Sequence, residues 1–121
     1  MLRKFFLQNH KSEKLADVKF YSSLASVFLK NSNPQKAIEY CYKVESILND
    51  NPDLIDKVDL SEFYYTFAAS ALYLDNYQKV IEYFIQLINY NQSYPPKKLL
   101  SKRIEWRVKE EKRQAAKSKN D

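Results

Sequence analysis

Glycine is absent from this chain of 121 residues. Average usage of roughly 7% would supply about eight, so the gap is a constraint on what the chain can build. Glycine serves positions of positive φ and close approach of backbone to a ligand. A glycine-rich phosphate loop, a dinucleotide fingerprint and a nucleophile elbow are therefore all excluded. All-β architectures, with their glycine-dependent hairpin turns, are disfavoured for the same reason. Cysteine and histidine occur once each, as Cys41 and His10. One thiol closes no disulfide within the chain, and one residue of each kind assembles neither a zinc site nor a histidine cluster. No run approaches the ~18 consecutive apolar residues of a membrane span.

What is present argues for a folded chain. Hydrophobic residues make up 45% and aromatics 15%, with ten tyrosines and seven phenylalanines. That composition lies outside the disordered class and leaves a helical protein. Cys41 falls among apolar positions of a predicted helix and reads as a small buried hydrophobe, whereas His10 lies in a polar stretch and reads as solvated. The first eleven residues carry Arg3, Lys4 and Lys11 without an acid, beside Leu2, Phe5, Phe6 and Leu7. Two readings stay open. One is a mitochondrial presequence, with cytoplasm as the alternative intracellular location; the other is an N-terminal helical turn docking its phenylalanines on the core.

The most informative feature is an internal repeat. Residues 20–48 align without gaps on residues 63–91, 43 positions on, with identical pairs Phe20/Phe63, Tyr21/Tyr64, Ala25/Ala68, Leu29/Leu72, Asn33/Asn76, Gln35/Gln78, Lys36/Lys79, Ile38/Ile81, Glu39/Glu82 and Tyr40/Tyr83. Each unit reads as two helices. Tyr21, Leu24, Ala25 and Phe28 recur at i, i+3, i+4, i+7, Asn31 to Pro34 form a turn, and Ala37, Cys41, Val44 and Leu48 make a second stripe. The second unit repeats this with Tyr64, Phe67, Ala68 and Ala71, a turn at Asp75-Asn76, then Val80, Phe84, Leu87 and Ile88. Asp59 followed by Glu62 predicts a capping box before it. Tyr40 and Tyr83, repeated in register, read as packing residues.

These residues resemble the tetratricopeptide repeat family, whose 34-residue unit sets an aromatic, a Leu-small pair and a second aromatic on its first helix, and small, aromatic and small residues on its second. Tyr21, Leu24-Ala25, Phe28, Ala37, Cys41 and Val44 take those places in unit one; Tyr64, Phe67-Ala68, Ala71, Val80, Phe84 and Leu87 take them in unit two. Alanine stands where the family usually has glycine. The closing prolines are displaced to Pro52 and Pro95, and nine extra residues, Asn49 to Lys57, separate the units as a longer loop or longer helices. Helical-hairpin repeats of a longer period are the structural alternative. The resemblance implies a concave face lined by Lys19, Ser22, Ser26, Leu29 and Lys30 and by Glu62, Tyr65, Ala69, Leu72 and Tyr73. Some of these would instead pack on the N-terminal segment. The clamp with which some members hold acidic chaperone tails is not matched, because its Lys and Asn positions fall on Ser22, Ser26 and Thr66. The lining suits an apolar helix or an extended segment held by Leu29, Leu72, Tyr65 and Tyr73.

Two units are fewer than a stable stack usually has, so the ends need cover. Leu2 to Leu7 are expected at one end, and Leu99, Leu100, Ile104, Trp106 and Val108 at the other. Charge is divided as well. Residues 1–96 hold ten Lys/Arg and eleven Asp/Glu, and residues 97–121 hold ten and four. Leu100, Ile104 and Val108 make a narrow stripe in this tail, as in an amphipathic helix. Three roles compete for it: a solvated capping helix; an arm using Lys97, Lys98, Lys102, Arg103, Trp106 and Arg107 on RNA or an acidic protein surface; and an interfacial membrane helix, for which the stripe is thin.

Catalysis is disfavoured, since one histidine supports no Ser/His/Asp set and the carboxylates are scattered. The expectation is therefore an all-α protein of two tetratricopeptide-like hairpins (residues 1–96, units 20–48 and 63–91) with a basic C-terminal helix (97–121). It would serve as a non-enzymatic scaffold or adaptor within a larger assembly, with no cofactor, metal or small-molecule substrate. The alternative is an RNA-associated accessory protein binding through the tail.

Overall fold

The computed structural model describes residues 2–91 and 96–120, and the side chains of residues 10–91 and 102–117. The architecture is all-α, with no strand among the described residues. Five α-helices follow in order: α1 (Leu2–Lys30), α2 (Pro34–Asp50), α3 (Ser61–Tyr73), α4 (Tyr77–Tyr90) and α5 (Pro96–Asn120), with a 3₁₀ helix at Pro52–Lys57.

The turns explain how a chain without glycine folds back so sharply. Ser32 N–H donates to the Leu29 carbonyl and Asn33 N–H to that of Phe28; in the second unit Asp75 N–H donates to Leu72 and Asn76 N–H to Ala71. This pair of bonds is the Schellman closure of a helix, which calls for a left-handed residue. Ser32 (φ 61°) and Asp75 (φ 58°) supply it, 43 residues apart. The next residue then starts the following helix, the Asn33 and Asn76 side chains accepting from Lys36 and Lys79 N–H at 3.2 and 3.4 Å. A β-carbon in the left-handed region costs about 1–2 kcal/mol. Ser32→Gly is therefore expected to raise stability by about 1 kcal/mol, read as a higher urea midpoint; an unchanged or lower midpoint would show that the turn carries no such strain.

Contacts that run in opposite order along the helices make each pair antiparallel: Lys36 lies over Phe28 and Lys43 over Tyr21, and Phe67 meets Tyr83 while Tyr64 meets Tyr90. Tyr40 of α2 stacks on Tyr21 and Phe28 of α1, with centroids 5.8 and 5.6 Å apart. Tyr83 of α4 stacks on Phe67 of α3 at 4.1 Å. Helix α3 also packs against α1 and α2, so one core runs through both units, built on Val18, Ala25, Cys41, Val44, Phe63, Phe67, Ala68 and Leu87. Cys41 is buried within it. Burial pushes its thiol pKa up to about 12, with the Glu45 carboxylate adding to the effect, so this sulfur behaves as a packed hydrophobe.

Three elements differ from the sequence expectation. The nine additional residues finish α2 and form the 3₁₀ helix, which buries Leu54 in the core; Lys11 of α1 pairs with Asp53 there at 2.9 Å. No capping box forms at α3. Helix α3 starts at Ser61, and Asp59 accepts from Ser61 N–H at 2.9 Å, which holds its carboxyl below the usual range. Its entry is also pinned by Tyr90 at the end of α4, whose hydroxyl accepts from Leu60 N–H and donates to the Val58 carbonyl. Finally, the N-terminal segment is no separate cap. Helix α1 runs unbroken for 29 residues, about 43 Å, and a continuous helix cannot fold back over its own flank. The side chains of Leu2, Phe5, Phe6 and Leu7 lie outside the described residues.

Candidate functional site

Helices α1, α3 and α5 are the elements from which the expected binding face is drawn. Small residues let α1 and α3 lie side by side, and two positions expected to line the groove are buried as a result: Ser26 and Ala69. Ser22, Leu29, Tyr65 and Leu72 are half-buried, and Lys19, Lys30, Glu62 and Tyr73 are exposed. Contact with a ligand would fall to these eight. Two of them meet. Leu29 at the end of α1 and Tyr73 at the end of α3 line one cleft of about 380 Å³ with Ser32 of the first turn and Pro34 and Gln35 at the start of α2.

Helix α5 joins this region through specific contacts. Ile104 packs on the core. Arg103 donates to the Tyr73 hydroxyl at 3.0 Å, with its guanidinium 5.9 Å from the ring centre. Arg107 pairs with Asp75 and donates to the Tyr77 hydroxyl at 3.3 Å. That hydroxyl in turn donates to Glu111, which raises its pKa above the ordinary value. Asp75 thus has two roles, closing α3 in the left-handed region and anchoring α5. A cleft of about 180 Å³ remains under α5, lined mostly by Leu72, Val80, Ile81, Ile104 and Val108.

The basic positions consequently divide. Arg103 and Arg107 are engaged by Tyr73, Asp75 and Tyr77. Lys102 and Trp106 face water, Trp106 being 62% exposed. The side chains of Lys97, Lys98, Leu99 and Leu100 lie outside the described residues. Of the expected capping residues, Ile104 is packed while Trp106 and Val108 are exposed.

One polar cluster was not anticipated from the sequence. Lys79 of α4 bonds the Glu45 carboxylate of α2 at 2.9 Å and Glu82 at 3.3 Å, and the Tyr83 hydroxyl donates to the same Glu45. Its ammonium sits 5.6–5.7 Å from the centres of Tyr42, Phe67 and Tyr83. Three rings and two carboxylates around one cation tie α2 to α4. The cage is filled by the chain's own lysine, so its role is to hold the units together. Among the described residues no group of three or more His, Cys, Asp or Glu is arranged to hold a metal ion, and no helix is long and apolar enough to cross a membrane.

No protein-family model, curated protein or solved structure matches this chain.

Proposed function

We propose that the chain is a tetratricopeptide-like interaction module, a non-enzymatic scaffold within a larger assembly that docks a partner protein across the α1–α3–α5 face. One observation carries this reading: Leu29 and Tyr73, at the ends of the first helices of the two units, line a single cleft, with Arg103 seated on Tyr73. Leu29 and Pro34, the Tyr73 ring, the polar Ser32 and Gln35, and the Arg103 cation held on Tyr73 suit a partner segment carrying apolar residues and a carboxylate. The test is quantitative capture under mild salt followed by mass spectrometry, comparing the parent with Leu29→Glu/Tyr73→Glu. Specific partners should fall at least about tenfold for the variant while its helical circular dichroism is unchanged. Recovery independent of both residues would remove the groove from the reading.

A second reading has its own support. Lys102, Lys109, Lys112 and Lys117 of α5 are exposed and have no ion pair among the described residues, as an arm on RNA phosphates would require. RNA affinity would then fall steeply with salt, by about 0.7 logarithmic units per decade for each phosphate contact. Reversing these four lysines would abolish it. Salt-insensitive or absent binding counts for the protein partner alone.

A further inference from the structure

The outward face of α1 is apolar and uncovered, and the repeat shows that this is a pairing face. Phe20, Leu24 and Val27 correspond to Phe63, Phe67 and Ser70 of α3. The α3 residues are buried, Phe67 in edge-to-face contact with Tyr42 of α2 at 5.1 Å. Among the described residues no helix does the same for α1. Phe20 is 62% and Val27 50% exposed, and Leu24 is half-buried.

The seam they belong to has a definite period. Glu13, Asp17, Phe20, Leu24, Val27 and Asn31 succeed one another at intervals of four, three, four, three and four. That alternation keeps one side of a helix facing a partner helix along its length. Its centre is apolar and its two ends differ in charge. Glu13 and Asp17 lie beyond Phe20. Lys30 lies beyond Val27, and Lys36 of α2 sits over Phe28 at 6.0 Å on the same end.

From this we infer that the α1 seam is a homodimer interface, occupied by α1 of a second copy running antiparallel. Antiparallel pairing about Leu24 puts Phe20 of each copy against Val27 of the other. It also brings the acidic end of each seam to the basic end of its partner, so one charge arrangement is satisfied twice. A parallel pair would set like ends together. The surface is self-complementary, as a two-fold interface must be. Its apolar centre lies on the side of α1 away from Leu29 and Ser26, and Lys30 stands between this face and the groove proposed above.

Sedimentation equilibrium of the full chain tests this, with circular dichroism of each variant as the check on folding. The parent is expected to be a dimer at micromolar concentration. Phe20→Glu/Val27→Glu should weaken it at least about 100-fold with the fold intact, since both side chains are exposed in one chain. Reversing one end alone (Glu13→Lys/Asp17→Lys, or Lys30→Glu/Lys36→Glu) should weaken the dimer. Reversing both ends together should restore it, which no general loss of folding would do. The Leu29→Glu/Tyr73→Glu variant should remain dimeric. A parent that stays monomeric at about 100 µM, a dimer untouched by Phe20→Glu/Val27→Glu, or charge reversals that add rather than cancel would each overturn the proposal.

Discussion

Truncating Phe63 to alanine is expected to cost about 3–5 kcal/mol of folding stability, whereas the same change at Phe20 should cost no more than about 0.5 kcal/mol. The two residues are identical and occupy the same repeat position. Phe63 is 2% exposed and Phe20 62%. Phe63 touches the rings of Tyr64, Phe67 and Tyr83, with centroids 5.6, 5.8 and 5.7 Å apart. Removing it opens a cavity between helices α3 and α4. Phe20 has one ring contact, with Tyr21 of its own helix at 5.6 Å, and leaves water where it was. Urea unfolding followed by circular dichroism, at a dilution where the chain is monomeric, reads both changes. Equal losses at the two sites would mean that α1's outer face is covered within the single chain, and the packing described here would be wrong.

That contrast shows what the sequence could reveal. Helix type, turn positions and the register of the two units follow from local rules, because apolar spacing and turn residues act over a few positions. Ser32/Asp75 and Asn33/Asn76 are such cases, the absent glycine being replaced by left-handed Ser and Asp. Burial of a repeated residue depends instead on what lies outside its unit, which the repeat itself does not encode. Phe67 of the second unit meets Tyr42 of the first at 5.1 Å, whereas Phe20 on α1 is left 62% exposed. The same applies to Lys36 and Lys79, identical in register, of which only Lys79 is enclosed by Glu45 and three rings. At the candidate site, Leu29 and Tyr73 were legible because both end a first helix. The burial of Ser26 and Ala69 was legible only in their size: small residues permit the approach of α1 to α3 that removes them from the surface. The seating of Arg103 and Arg107 on Tyr73, Asp75 and Tyr77 could not be read from a tail whose charge pattern is equally that of a free arm.

Stability should also fall on the alkaline side, and the Glu45 cluster together with Cys41 sets where. Burial, then the hydrogen bond to Glu45, pushes the Tyr83 hydroxyl well above its ordinary range, and burial raises that of Tyr64. Burial pulls the Lys79 ammonium down, but the bonds and charges of Glu45 and Glu82 outweigh it and leave its pKa raised. Each of these groups, with Cys41 raised to about 12, holds its proton longer folded than unfolded. Between the unfolded and folded values the native state binds more protons, so unfolding becomes easier as pH rises. The loss should begin near pH 9 with the thiol and steepen above about pH 10 as tyrosine and lysine join. Each group adds at most about 1.4 kcal/mol per pH unit. Cys41→Ala should flatten the first part and Tyr83→Phe the second. Near neutrality Glu45→Ala should cost roughly 1–3 kcal/mol, because the Lys79 ammonium keeps only Glu82 and the Tyr83 hydroxyl loses its acceptor; the Glu45 and Lys79 side chains are only 19% and 21% exposed. Urea midpoints from pH 7 to 11 measure all three. A parent profile that stays flat above pH 9, or a Tyr83→Phe profile as steep as the parent's above pH 10, would show that the cluster is solvated and that its protons are not linked to folding.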